Sequence, residues 1–507
     1  MTTSRRTVLL QGCVIGAGII AANVPGIVAL AQGQPKLRRS LLGMPLNDPI
    51  INAWRDAVGQ LKARPASNPI SWANFSAIHG TDFAFNKCPH RNWYFLPWHR
   101  AYLLMYEQVV RQLTGFNDFA LPYWDWTAQR QLPPAYTAAA PNPLLEPSRA
   151  MGPTDSLPDE NVGPDVITQV MSDTPFETFG TTRPSGQNST AQTWITTTTG
   201  IQGTLESNPH NSVHGIVGGV MASGASPLDP IFMMHHCNID RIWWVWNAAG
   251  NANSGDPLWT GMTFQNNFFN PDGSPYSPKV SDLYTPETLG YTYDPELGAY
   301  AAASTGQATA SPLDDKLKTI YATPNLSSAN IAGIATYVAA NKEQAIAAAN
   351  KPLEIPVEVG ANEITTVARY RRPSTGTEAI DPKRVQARLA NAPRALCFIR
   401  DIAASKDQGT QFRVFIDCDY LSASTPITDR HYVGTFSFFG DHGQTHGPGG
   451  NPSVMVDLTR PIQRIYGSAP EGPKRLRVQI LPVPRGTKAG EIGTAKPGSV
   501  EIAIVTA

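Results

Sequence analysis

The chain has 507 residues, with 40 Lys and Arg against 40 Asp and Glu, and a formal net charge of zero. That balance argues against a polyanion or an anionic membrane surface as partner, so neither nucleic acid nor stable membrane insertion is expected. The length predicts two or three globular domains, and five cysteines are too few for a disulfide framework.

The first stretch, Ser4-Arg5-Arg6-Thr7-Val8-Leu9-Leu10, opens an apolar run to about Leu30 with a small-residue cleavage pattern ending at Ala31. It reads as a twin-arginine signal peptide over residues 1–31, exporting an already folded protein to the periplasm or medium through the Tat machinery. Gly16, Gly18, Asn23, Pro25 and Gly26 interrupt the run and speak against a permanent anchor. Residues 47–63 begin Asn-Asp-Pro and place Ile50, Ile51, Trp54, Val58 and Leu61 at helical spacing.

Cys88 to Glu107, CPHRNWYFLPWHRAYLLMYE, sets His90 and His99 nine residues apart around Pro97. Nine residues is two and a half helical turns, so the pair cannot share one helix face. Proline is best tolerated in a first turn and keeps the residue before it extended. His90 is therefore expected on a loop and His99 in the first turn of a helix. Leu121 to Trp126, LPYWDW, is an aromatic corner, and residues 131–200, rich in Pro, Thr and Ser, read as a long surface excursion.

Residues 205–219, LESNPHNSVHGIVGG, put His210 and His214 at i,i+4 on one helix face, with Asn208 as expected N-cap, Pro209 at the first position and Gly218-Gly219 as the stop. Residues 229–241, DPIFMMHHCNIDR, start another helix at Asp229-Pro230 and carry His235 and His236. With His79 in Ile78-His79-Gly80, seven of the ten histidines fall in four short segments of the first half. Residues 295–355 are Ala-rich with helical fragments such as Ile331 to Ala349 and read as a linker. From there IPVEV, ITTVARYR, ALCFIRDI, QFRVFIDCDY, HYVGTFSFF, SVMVDL, RLRVQILPVP and SVEIAIV predict eight short strands of a β-sandwich or barrel. Cys397 and Cys418 lie on neighbouring predicted strands and could pair. His431, His442 and His446 read as solvated turn histidines.

The two histidine motifs resemble the signatures of the tyrosinase, catechol oxidase and molluscan hemocyanin superfamily of binuclear copper proteins. His90, Phe95, Trp98, His99, Arg100, Leu103 and Glu107 match the first signature; Asp229, Pro230, Phe232, His236 and Asp240 match the second. The resemblance implies two copper ions, one held by His79, His90 and His99 and the other by His210, His214 and His236. It also implies a thioether between Cys88 and His90, of the kind fungal members carry; the alternative is a buried thiol. His235 is expected to pack or to orient a ligand. Asp240 is expected either to orient His236 or to pair with Arg241 or Arg100. Residues 281–294 resemble the close of the catalytic domain in plant and bacterial polyphenol oxidases, and the β-region resembles their C-terminal cap.

The expected architecture is multidomain α plus β: a four-helix-bundle copper catalytic domain over 32–295, a linker over 296–355 and an all-β cap over 356–507. Imidazoles suit copper in both oxidation states and leave an open face for dioxygen. The resemblance thus implies oxidation of o-diphenols, and hydroxylation of monophenols such as tyrosine, to o-quinones with O2. Glu206, with Asn211 beside His210, is the expected base pair for a phenolic proton; alternatively Glu206 caps the helix and Asn211 faces solvent. Ser223 stands where plant catechol oxidases carry a bulky gate. The other readings are a catechol or o-aminophenol oxidase without useful monophenolase activity and, in a different class, a hemocyanin-like O2 carrier. The β-domain is expected to make the enzyme latent.

Overall fold

The structure, a computed structural model, describes residues 34–294 except 83 and 174, and residues 333–506 except 344, 349–350, 371–391, 405–408, 440–449 and 486–491, together with 316, 319, 320 and 326. The expected signal peptide, most of the expected linker, and His442 and His446 lie outside the described residues.

The chain enters through strand β1 (Lys36–Arg38). Helix α1 (Pro49–Lys62) begins where Asp48 accepts the Ile50 amide, with Pro49 in its first turn, where the missing N–H costs nothing. Helix α2 (Trp72–His79) is capped by Ser71, which accepts from Asn74. Helix α3 (Phe95–Thr114) stops at Gly115 in the left-handed region. Helix α4 (Pro164–Ser172), helix α5 (Asn211–Val217) and helix α6 (Ile231–Ala248) follow. Strand β2 (Tyr291–Tyr293) closes the region by pairing in parallel with β1. Helix α1 packs on α2 and α3, and α3 packs on α6, around a core that buries Trp54, Trp98, Trp124, Trp126, Trp243 and Trp246. His99 sits in the second turn of α3 rather than the first, because the helix starts two residues ahead of Pro97.

The C-terminal region is a two-layer sandwich. Its elements are β3 (Ile334–Ala340), β4 (Leu353–Glu358), α7 (Ala361–Arg369), β5 (Arg394–Arg400), β6 (Thr410–Ile416), β7 (Tyr432–Phe436), β8 (Val454–Asp457), α8 (Thr459–Tyr466), β9 (Arg475–Pro484) and β10 (Ser499–Val505). One sheet runs β7-β6-β9-β4 and the other β8-β5-β10-β3, each antiparallel. Val414, Ile416, Val478 and Ile480 of the first share one core with Cys397, Ile399, Val500 and Ile502 of the second.

Four local expectations are corrected. Residues 334–340, read as part of an Ala-rich helical linker, form strand β3, because Val338 and its neighbours find a ladder partner in β10 (Val338 opposite Glu501). The β-branched ITTVARYR run is helix α7: Ile364, Val367 and Ala368 make one buried stripe, and Thr365 and Thr366 bond back to the carbonyls of Ala361 and Asn362. Cys397 and Cys418 are both free thiols, since β5 and β6 belong to different sheets. Residues 131–200 are not a surface excursion; Val166, Val170, Phe176 and Phe179 are buried within short helical turns.

That segment joins the two regions. Arg413 of β6 pairs with Glu160 at 2.6 Å, and Gln169 of α4 donates to the Val433 carbonyl at 2.9 Å. Gln202 pairs along its backbone with Ser453 and Met455, covering the β8 edge. Ile201 enters the apolar cluster of Leu396, Phe398, Met455 and Val505 on the sheet's outer face. Asp173, at the end of α4, is 1% exposed and holds the Thr204 hydroxyl.

Burial, with the Asp457 carboxylate nearby and Arg394 and Arg460 opposing, pushes the Asp173 carboxyl up to about 8, against about 3.9 in an unfolded chain. The folded state therefore keeps a proton that the unfolded state releases, so this contribution is complete below about pH 4 and is lost as pH rises to about 8. We expect thermal unfolding of Asp173→Asn to lose less stability than wild type between those limits. Parallel pH profiles for the two proteins would disprove the assignment.

Candidate metal centre

Two groups of side chains converge between α2, α3, α5 and α6. One holds His79, Cys88, His90 and His99, the other His210, His214, His235 and His236, and within each group the candidate ligand atoms lie within 4.8 Å of one another. All are buried. Four of the rings are aimed by a bond on Nδ1, whereas His236 Nδ1 has no partner among the described residues. His79 Nδ1 meets the Gly224 carbonyl at 2.6 Å, His99 Nδ1 the Phe95 carbonyl at 2.8 Å, His214 Nδ1 the Met221 carbonyl at 2.8 Å, and His210 Nδ1 the Asn211 Oδ1 at 2.9 Å. These bonds fix the tautomer and turn Nε2 inward. The first depends on glycine: a Cβ on Gly80 would lie 2.9 Å from the Gly224 oxygen and closer still to that of Ala84.

Among the described residues, Nε2 of His79, His90 and His210 has no hydrogen-bond partner, and Nε2 of His214 lies 3.3 Å from Nε2 of His236. The two groups face each other, with the His99 and His236 rings stacked at 4.0 Å. Burial is the main cause holding every one of these imidazoles below its ordinary range, His79 to about 4 and His210 to about 3. Neutral imidazoles with inward nitrogens are what a metal requires, and six of them, with no carboxylate in either group among the described residues, suit copper. His79, His90 and His99 fit one ion, and His210, His214 and His236 a second.

Other expectations sort as follows. Cys88 Sγ is 3.5 Å from His90 Nδ1 and 3.3 Å from His99 Nε2, and burial pushes its thiol up. His235 accepts from the Trp126 indole at Nδ1, 3.0 Å away, and belongs to the second group. Asp240 leaves His236 alone: it binds Arg100 at 2.6 Å, Arg38 at 3.1 Å and the hydroxyls of Tyr291 and Tyr293, while Arg241 pairs with Asp125. Asn208 is extended, but its side chain donates to the Glu160 carbonyl instead of capping α5. Ser223 bonds Asp82 beyond α2.

Glu206 is buried and held by the Arg91 amide at 2.8 Å, by Gln202 at 3.3 Å and by the Thr181 hydroxyl. Burial outweighs these donors and raises its carboxyl to about 7. Asn211 does not face solvent: Oδ1 engages His210, and Nδ2 donates to the Ser437 carbonyl at 2.8 Å.

Sequence reasoning missed Phe439. Its ring stacks on His214 at 4.0 Å and lies 5.2 Å from His90 and 5.7 Å from His210, so the C-terminal region closes the site. The only signal was an aromatic pair continuing the predicted strand past Phe436.

Residues 69–249 match the family described as the common central domain of tyrosinase. The chain is 32% identical over 308 residues to tyrosinase HcTyr1 of Hahella sp., a match covering 52% of this chain and 64% of that protein, short of two thirds of its length. It is 24% identical over 509 residues to a chloroplastic polyphenol oxidase of Malus domestica, covering 89% and 76%. Among solved structures, latent aurone synthase aligns with a TM-score of 0.63 at 19% identity, covering 97% of this chain and 92% of that one, and latent apple tyrosinase with 0.63 at 20%, covering 96% and 100%. These likenesses show a shared fold, helical region and β-region together.

We expect the protein to bind two coppers per chain. His99→Ala and His214→Ala should each lower the content to about one or less, because a lone buried imidazole pair leaves too few donors. Metal analysis after dialysis checks this; a variant retaining both ions would remove that residue from the ligand set.

Proposed function

We propose, from the match of residues 69–249 to the central domain of tyrosinase and the likeness to tyrosinase and polyphenol oxidase chains, that this protein oxidises phenols with dioxygen. O-diphenols go to o-quinones, with O2 reduced to water, and monophenols such as tyrosine are first hydroxylated ortho to the oxygen. The observation that carries this reading is the pair of facing histidine groups with unpartnered inward nitrogens. Copper held by His79, His90 and His99 and by His210, His214 and His236 would supply dioxygen binding and electron transfer. A carrier of the hemocyanin type would bind O2 without consuming it, so steady oxygen uptake with phenol separates the two.

The protein's own residues handle the ring and its proton. Phe439 marks a slot that accepts an aromatic ring against His214, beside His90 and Phe85. A substrate ring must displace it, which makes the intact chain latent. A monophenol must also shed its proton before it can ligate a metal, and Glu206, whose carboxyl is raised towards neutrality, serves as the base through a water that Asn211 helps to hold. Catechols, being more acidic, need this help less. Cys88, with Sγ 3.5 Å from His90 Nδ1, would bond to a ring carbon of His90, the S–H and C–H hydrogens and two electrons passing to dioxygen, and this link would fix His90 for the metal. We place the working protein in the periplasm or medium, on the strength of Ser4-Arg5-Arg6 and the apolar run after it.

Oxygen uptake by copper-loaded protein on tyrosine and on a catechol, before and after limited proteolysis releases the β-region, tests the reading, and the variants are compared in the released form. Glu206→Gln and Asn211→Ala should lower monophenol turnover by about a hundredfold or more and catechol turnover far less. Equal losses on both would make them structural. Peptide mass analysis should find the Cys88–His90 peptide two hydrogens light and resistant to alkylation; a freely alkylated Cys88 in active protein would refute the thioether.

A further inference from the structure

Ser437 follows β7 and is completely buried. Each of its polar groups is spent on the helical region. Its N–H donates to the Ser207 carbonyl at 3.1 Å, its hydroxyl meets that of Ser212 at 2.9 Å, and its carbonyl accepts from Asn211 Nδ2 at 2.8 Å. The segment is pinned further at Arg485, which donates to the Phe438 carbonyl at 3.2 Å. Arg485 lies over Gly215, where a Cβ would come within 2.5 Å of its guanidinium nitrogens; the absent side chain next to His214 is what lets Arg485 settle there.

Asn211 is thus held at both ends, at Oδ1 by a candidate copper ligand and at Nδ2 by the β-region. An oxygen 2.8 Å from that amino group is also what a water held by Asn211 would present. We infer that the Ser437 carbonyl stands in for this water and forms a second lock on the site, separate from the Phe439 ring, which decides between the two classes of phenol. Phe439 governs whether any ring enters. Ser437 governs whether a monophenol, once inside, can be relieved of its proton. Opening the first lock alone gives a catechol oxidase, and hydroxylation requires both.

This rests on the phenol oxidase reading, and the test separates the two. Copper-loaded full-length Phe439→Ala is compared with Phe439→Ala/Ser437→Pro, tyrosine and a catechol being assayed on each. Proline removes the N–H given to Ser207, and residue 436 is already extended, as proline demands. Copper content reports folding; Ser437→Gly, which drops the Ser212 contact, replaces the proline variant if that fails to fold. We expect the single variant to oxidise catechol with little hydroxylation, and the ratio of monophenol to catechol turnover to rise at least about tenfold in the double variant, within the usual range of general-base assistance. Both variants active with the same ratio would overturn the second lock and leave the phenol oxidase reading intact. Neither substrate turned over by either variant would overturn that reading, and this inference with it.

Discussion

The buried Asp240 carboxylate holds the site together. It lies on α6 and accepts from Arg100 on α3, from Arg38 on β1, and from the hydroxyls of Tyr291 and Tyr293 on β2. Arg100 and Arg38 are themselves wholly buried, and Arg38 is held as well by Glu107 of α3 at 2.7 Å. Charges this deep are tolerable only when every partner is present; removing one partner of such a pair typically costs about 3–5 kcal/mol. The cluster fastens α3 to α6, and so His99 against His236, by groups that touch neither ring. It also explains why the two ends of the helical region, Lys36–Arg38 and Tyr291–Tyr293, meet as a parallel pair.

The site itself was largely legible in the sequence because its signals are local. Pro97 between His90 and His99, the i,i+4 pair His210 and His214, and Asp229-Pro230 ahead of His236 each fix a side chain's direction within one helix or at its start. The two histidine groups gather those residues, with His79 contributed from the last turn of α2. What misled was propensity where a distant partner decides. Ala-rich residues 334–340 became a strand because β10 lies some 160 residues further along the chain. The run at Ile364 to Ala368 became a helix because a single apolar stripe, rather than alternation, met the core.

What the sequence did not disclose is how the two regions meet. Asn211 was expected to serve a water and Glu206 to act as a base or a cap, both read from positions near His210. The structure ties Asn211 to Ser437 and surrounds Glu206 with Thr181, Gln202 and Arg91. The Asn211–Ser437 bond joins segments 226 residues apart that meet only once the sandwich has docked; Arg91 and Thr181 reach Glu206 across 115 and 25 residues of the helical region, while Gln202 stands only four residues before it. Gln202 serves both sides: its backbone continues the pairing at β8, and its side chain donates to Glu206.

That edge pairing carries a consequence for the fate of the β-region. While docked, β8 has its open side covered by Gln202, and Ile201 fills the apolar surface over Leu396, Phe398 and Met455. Parted from the helical region, the sandwich bares an unpaired strand edge beside a greasy face, the combination that recruits other chains into sheets or draws proteases. Cleavage between the regions would then act in one direction, since a released sandwich with that edge bare is more apt to aggregate or be digested than to dock again.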